Sequence, residues 1–386
     1  MDYSSYSFSA ETQAEFYQAE TEVLRFGERL ARKPYAKYMR TTLLAIDAIF
    51  AIRIPNDVKL PVVPLIISYD LTNRKYGGDA TRSAHNLLSE FQIPEENLDA
   101  AIEAIHYMQA LDWIAQNVKP GFTITMETVL FIHEMLLNGT PSDERYHSFR
   151  STPLPKNKGA DPASIPVEIS ELCKFSNGDY FSPIGQASVI HHAFESMSPF
   201  DSLVDRTGLL FAFMPMFRRG PFVDGYMVPI CWGASLEKSY RQKLRDSSRD
   251  KSSPKTHLHY RERWAAYNAR NTHVAAVIAD SFLSRTDNLR KQWRSRGMKL
   301  PANSAIDKLL DLFLAVPCLT IKHASQIIGK SYGATNEAMS QLVKEGIVRE
   351  TALDRRERIF ICDQSTSMIT GFVDELIEMS QKAKDN

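Results

Sequence analysis

Residues 198–208 read Ser-Pro-Phe-Asp-Ser-Leu-Val-Asp-Arg-Thr-Gly and bring together a hydroxyl (Ser198), two carboxylates (Asp201, Asp205) and a guanidinium (Arg206). A guanidinium suits phosphate oxygens, and a carboxylate supplies the hard oxygen that Mg²⁺ requires. A serine hydroxyl holds its proton near neutrality and becomes a nucleophile only beside a base. The nearest imidazoles in the sequence, His191 and His192, precede Ser198 by nearly two helical turns. That distance favours packing over catalysis for both.

The elements that must position these groups are legible on either side. Ile190, Ala193, Phe194 and Met197 recur at i, i+3, i+4 and i+7, one buried stripe of a helix. Leu209, Leu210, Phe213, Met214 and Phe217 make a second stripe. Asp and Ser residues between the two can cap the second helix. A helix N-terminus facing a loop presents free N–H groups to an anion, the physical reason to look for a nucleotide here.

The helix–loop–helix resembles the Fic family, whose motif is His-Pro-Phe-x-Asp/Glu-Gly-Asn-Gly-Arg-x-x-Arg. Pro199, Phe200 and Arg206 match it, Gly208 sits where many members carry Gly, Phe194-Glu195 matches the common lead-in, and Pro215 falls where members carry Pro. Ser198 stands in place of the catalytic His, Ser202 of the acidic metal ligand, Leu203-Val204-Asp205 of Gly-Asn-Gly, and Leu209 of the second Arg. The resemblance implies a mainly α Fic-like core with a small flap hairpin, and an ancestral chemistry of AMP transfer from ATP with Mg²⁺. It assigns Ser198 to the catalytic position and Arg206, Asp205 and Gly208 to the nucleotide site, with no metal ligand. An inhibitory motif of the family finds its best match at Leu43, Asp47 and Ala48, which makes Asp47 the remnant of the inhibitory Glu.

The substitutions remove the general base, the metal ligand, the glycine turn and the second Arg together. Leu203 and Val204 are expected to resist the positive-φ turn that Gly-Asn-Gly makes, Val most because of its β-branch. Standard AMP transfer is therefore not expected, and the cofactor expectation is none, with ATP and Mg²⁺ required only if transfer survives. Whether the chain is an enzyme stays open.

Composition and charge bound the rest. The 386 residues suffice for two or three domains, and 44% hydrophobic with 24% charged content suits a soluble globular protein. Net charge is +0, so no overall field recruits nucleic acid or membrane. Cys173, Cys231, Cys318 and Cys362 are scattered without a CxxC, which reads as reduced thiols. No secretory leader or membrane span is seen, and a cytoplasmic location is expected.

Three segments follow: a helical N-terminal one (1–95, broken by Pro55, Pro61 and Pro64), a Fic-like core (96–300) and a C-terminal domain (301–386). The core is expected to hold a long helical region over 95–138, and to continue helical over 221–300. Residues 151–166 hold the place of the family's flap, where a protein target docks by strand addition; a plain surface loop is the alternative. Basic clusters at 238–263 and at Arg285, Arg290, Lys291, Arg294, Arg296 and Lys299 around Trp293 read as solvated faces, or as a nucleic-acid surface.

Beyond Pro301, a helix to Leu314, a short helix ending at Gly329, a helix ending at Gly346 and an alternating hairpin follow the winged helix-turn-helix order. Lys330, Ser331, Thr335 and Asn336 would face DNA from the recognition helix, and Arg355, Arg356 and Arg358 from the wing. A winged helix used for protein contact or a homodimer is the alternative, and nearby Glu337, Glu345 and Glu350 dilute the positive field. The functional expectation is a degenerate Fic-family protein acting as a DNA-binding or partner-binding regulator. Its rivals are a divergent Fic enzyme transferring AMP or another phosphate-containing group to a protein hydroxyl, and a scaffold whose groove holds a peptide or small ligand.

Overall fold

Helices dominate the chain in a computed structural model, which describes residues 3, 6–56, 60–73, 93–137, 148–155, 159–229, 254–354 and 357–385. In order these are α1 (Ala10–Ala31), α2 (Ala36–Asn56), α3 (Val62–Asn73), α4 (Leu98–Asn117), α5 (Met126–Leu137), α6 (Ile165–Asn177), α7 (Pro183–Met197), α8 (Val204–Arg218) and α9 (Pro254–Arg294). Then come α10 (Ala305–Phe313), β1 (Cys318–Thr320), α11 (Ile321–Ile328), α12 (Tyr332–Lys344), β2 (Arg349–Asp354), β3 (Glu357–Ile361) and α13 (Asp363–Asp385). The fold is mainly α, with one small antiparallel sheet of order β1-β3-β2 among the described residues.

The prolines divide the N-terminal segment less than their number suggests. Pro64 lies in the first turn of α3, where its missing N–H is not needed. The helical region expected over 95–138 holds two helices, α4 and α5, separated by a turn through Gly121 at φ +92°. Residues 230–253, within the expected helical stretch and most of the 238–263 basic run, lie outside the described residues. So do Cys231, Gly139 and the centre of the expected flap at 156–158. The described limbs of that segment form no strand. They meet the turn after α7 through Arg150 N–H to Pro199 O (2.9 Å) and Ala160 N–H to Met197 O (2.9 Å).

Helix α9 is the spine. On one side α1 runs along it, joined by Arg29–Asp280, Lys33–Asp287 (2.6 Å) and Arg270–Glu15 (2.7 Å). Further along, half of the second basic cluster pairs within the protein. Arg290 pairs with Asp311 (2.6 Å), Arg294 with Asp307 and Arg285 with Glu375, while buried Trp293 donates to Gln364 Oε1 (2.7 Å). These residues fasten α9 to α10 and α13. Arg285, Arg290 and Arg294 are therefore already partnered within the protein, while Lys291, Arg296 and Lys299 of the same cluster are exposed. On the far side Thr42 Oγ donates to Ala315 O (2.8 Å), and Ile67 of α3 packs with Cys318 and Ile359 of the sheet.

The C-terminal elements match their expected order, with Gly329 and Gly346, each at φ +64°, ending α11 and α12 in the left-handed conformation. β1 is too short for its period to be read from sequence; it pairs antiparallel with β3 and so adds a third strand to the hairpin. Cys173, Cys318 and Cys362 are buried and unpaired. No helix among the described residues is long and apolar enough to cross a membrane.

Candidate functional site

Helix α7 starts cleanly: Ser182 Oγ accepts from Gly185 N–H (3.0 Å) and Pro183 occupies the first turn. It ends at Ser198, which turns the chain in the left-handed region (φ 47°, ψ 66°). Its N–H bonds to Phe194 O (2.9 Å) and its hydroxyl donates to Glu195 O (2.8 Å). No imidazole or carboxylate takes that proton among the described residues, so the Ser198 side chain is used as a C-cap.

The carbonyls that α7 leaves open at this end converge on Arg150, 2% exposed. Its Nε donates to Ser198 O (2.7 Å), Nη1 to Thr152 O (2.8 Å), and Nη2 to Ala160 O and Met197 O. A cation on the negative end of a helix dipole fixes the loop's entry.

Leu203 supplies the turn into α8, at φ 52° and ψ 25°. This corrects the expectation that Leu203 would resist positive φ. The strain costs about 1–2 kcal/mol and is offset by packing of the half-buried leucine on the core and by its carbonyl, which receives both Thr207 N–H (3.0 Å) and Thr207 Oγ–H (2.9 Å). Val204 is spared: it is the first residue of α8.

The charged residues around this turn engage one another. Arg206 is buried, its Nη2 2.7 Å from Glu103 Oε1 on α4 and its Nη1 3.2 Å from Asp205 Oδ1. Asp205 Oδ1 also accepts from the Arg206 backbone N–H (3.0 Å), one of the α8 N-terminal donors an anion would use. Asp201 is exposed and makes no ion pair with Arg206. Burial raises the pKa of Glu103, against the opposing charge of Arg206. Glu195, on the last turn of α7, is pushed up to about 8 by burial first and then by Asp205. Near neutral pH it is therefore largely protonated, and the remaining charges are one guanidinium between two carboxylates.

The imidazoles belong to the core. Burial lowers His191 to about 3, and its ring lies against Trp264 with centroids 5.5 Å apart. His192 is also buried. His133, which sequence reasoning missed, stacks on Phe200 of the loop (3.7 Å, 8°) with Nδ1 2.9 Å from Thr207 Oγ. Thr207 gives its only hydroxyl proton to Leu203 O, so His133 Nδ1 carries the proton and donates. Gly208 lets α7 and α8 approach: a Cβ there would stand 2.9 Å from Phe194 Cδ1. Asp47 is buried on α2 and accepts from Tyr107 O–H of α4 (3.2 Å). No group of three metal-ligating side chains occurs among the described residues.

On the C-terminal surface Ser331 caps α12, accepting from Ala334 N–H (3.3 Å), with Tyr332 58% exposed and Lys330 half-buried beside it. Asn336 Oδ1 accepts from Arg358 Nη2 (2.8 Å), tying α12 to the hairpin. Thr335 is a correction: it is fully buried and its hydroxyl bonds to Ser331 O (2.9 Å), so it faces the core and no DNA. Arg355 and Arg356 lie outside the described residues.

No family model matches the chain, and no curated protein matches it. Among solved structures it is similar to a Fic family protein from Desulfovibrio desulfuricans G20, at 14% identity and TM-score 0.47 over 92% of this chain and 97% of that one. It is also similar to a Fic domain containing signaling protein from Bacteroides thetaiotaomicron VPI-5482 (14%, TM-score 0.45, 68% of this chain and 98% of that one). A third is Fic-1 (residues 134–508) from C. elegans (13%, TM-score 0.45, 71% and 74%).

Proposed function

We propose that this is a Fic-like protein whose loop no longer transfers AMP, and that it acts as a DNA-binding regulator through a winged helix spanning residues 301–386. The observation that carries the first half is the state of Arg206, closed in by Glu103 at 2.7 Å and Asp205 at 3.2 Å. A nucleotide phosphate would have to displace a carboxylate from a buried guanidinium and then sit beside both acids. Ser198, its hydroxyl bonded to the Glu195 carbonyl, offers no general base. The residues present therefore do not fit a magnesium nucleotide.

The second half rests on the order of α10 to β3 and on the exposed start of α12. Lys330, Ser331 and Tyr332 lie at that start, and Asn336 one turn on accepts from Arg358 of the hairpin, which suits a recognition helix with a wing. The test is fluorescence anisotropy of labelled duplex DNA with the full chain from 50 to 200 mM salt. Binding that weakens with salt, and whose log–log slope falls by about 1 in Lys330→Ala, supports the reading. Binding of a protein partner by the same face with no response to duplex would replace it.

A further inference from the structure

Helices α7, α8 and α9 do not close fully on one another. Ala187 of α7 and Ala212 of α8 both line the gap, and their single methyl groups leave a cavity of about 40 Å³, or about 450 Å³ with its open mouth. Ile184, Leu209, Phe213 and Met216 make its apolar wall. A dry cavity of about 150 Å³ admits benzene, so this one takes about two carbons of a chain, with the rest of a ligand in the mouth.

The polar groups of the lining are all uncharged. Burial holds His191 neutral, lowering it to about 3. Ser188 Oγ donates to Ile184 O (2.9 Å) and Thr272 Oγ to Asn268 O (2.8 Å), so both protons are spent within the helices and the oxygens can only accept. Asn268 differs. It is half-buried on the α9 side of the cavity, and its side-chain amide has no partner among the described residues. An amide in a helix seam beside apolar walls is poorly served unless a group in the mouth pairs with it.

These features select a ligand. A charged group would lose its hydration with no counter-charge to replace it. A purely apolar molecule would leave the Asn268 amide without a partner. We infer that the cavity binds a small neutral amphiphile, its short alkyl tail between α7 and α8 and its hydroxyl or amide head on Asn268. The site uses no residue of the 198–206 loop or of the C-terminal surface, so it stands apart from the function proposed above.

The experiment follows the Met216 methyl group by ¹H–¹³C NMR of the methionine-methyl-labelled full chain, titrated with butyramide and with 1-butanol, the peak being assigned by Met216→Leu. The expected result is a saturable shift in the millimolar range with at least one of the two. Asn268→Ala should weaken it about fivefold, the effect of one lost hydrogen bond. Ala212→Leu should abolish it by filling the cavity, and Ala187→Leu should do the same from the facing helix, so that one variant serves if the other fails to fold. Butyrate and butylammonium, with the same tail, should give no saturable shift over the same range. Absence of a saturable shift with both neutral probes overturns the inference. So does a shift that persists unchanged in either folded leucine variant, or equal affinity for the charged analogues. An unchanged affinity in Asn268→Ala overturns the placement of the head group.

Discussion

Replacing Arg206 with methionine should destabilise the protein strongly, and more at high pH than at low pH. The guanidinium is 5% exposed and 2.7 Å from Glu103, so its removal leaves a buried carboxylate without its counter-charge. Breaking such a pair costs about 3–5 kcal/mol. The protein has one escape: Glu103 can take a proton. Burial already raises its pKa and Arg206 opposes that rise, so in the variant the folded-state pKa climbs further above the unfolded value. A carboxyl raised in this way contributes nothing unfavourable below its unfolded pKa, near 4.5. Stability then falls as pH rises toward the folded pKa. At pH 5 most of that charge penalty is gone, and lost packing and hydrogen bonding, about 1–2 kcal/mol, make up most of the loss. Adding Glu103→Gln should recover about 2–3 kcal/mol at pH 8.5, the coupling expected for residues in contact. Urea unfolding at pH 5, 7 and 8.5, read as midpoint shifts at constant slope, measures all four corners of the cycle. A loss below about 1 kcal/mol at pH 8.5, or one independent of pH and not relieved by Glu103→Gln, would refute the ion-pair account.

Glu195, with a folded pKa of about 8, should make the wild type lose stability as pH rises from about 4.5 through 8. Glu195→Gln should lie within about 1 kcal/mol of wild type at pH 5 and exceed it at pH 9 by up to roughly 4 kcal/mol, seen as a Tm advantage that grows toward the alkaline end. Arg150→Met should cost about 3–5 kcal/mol, because several buried carbonyls lose their donor at once; a midpoint near wild type would show that other donors, water included, replace it. Gly208→Ala forces a Cβ to 2.9 Å from Phe194, an overpacking cost of about 1–3 kcal/mol reduced by about 1 from helix propensity. Its net loss should shrink in the Phe194→Leu background, and an equal loss in both backgrounds would mean the strain lies elsewhere.

The parts of this structure that the sequence declared were those written in local periods. The stripes of α7 and α8, and the glycines closing α11 and α12, depend on neighbours three or four positions away. What stayed hidden depends on distant partners. Glu103 lies about a hundred positions before Arg206, and no spacing rule joins them. Arg150 discloses its role only when the open carbonyls of α7 are placed around it. Two misreadings had usable signals. Thr335 shares a helical stripe with Ala338, Met339 and Leu342, all buried, which marks it as inward-facing. Arg290 and Arg294 at i, i+4 match Asp307 and Asp311 at the same spacing, a ladder that predicts helix pairing rather than a nucleic-acid surface. Leu203 had no such signal, since its left-handed backbone is held by the fold around it.

The most direct test of the account is isothermal titration of ATP with Mg²⁺ into the full-length protein. The closed Arg206 site predicts no saturable heat at millimolar nucleotide. A micromolar Kd that requires Mg²⁺ would contradict it, and would mean that Glu103 and Asp205 yield the guanidinium to phosphate after all.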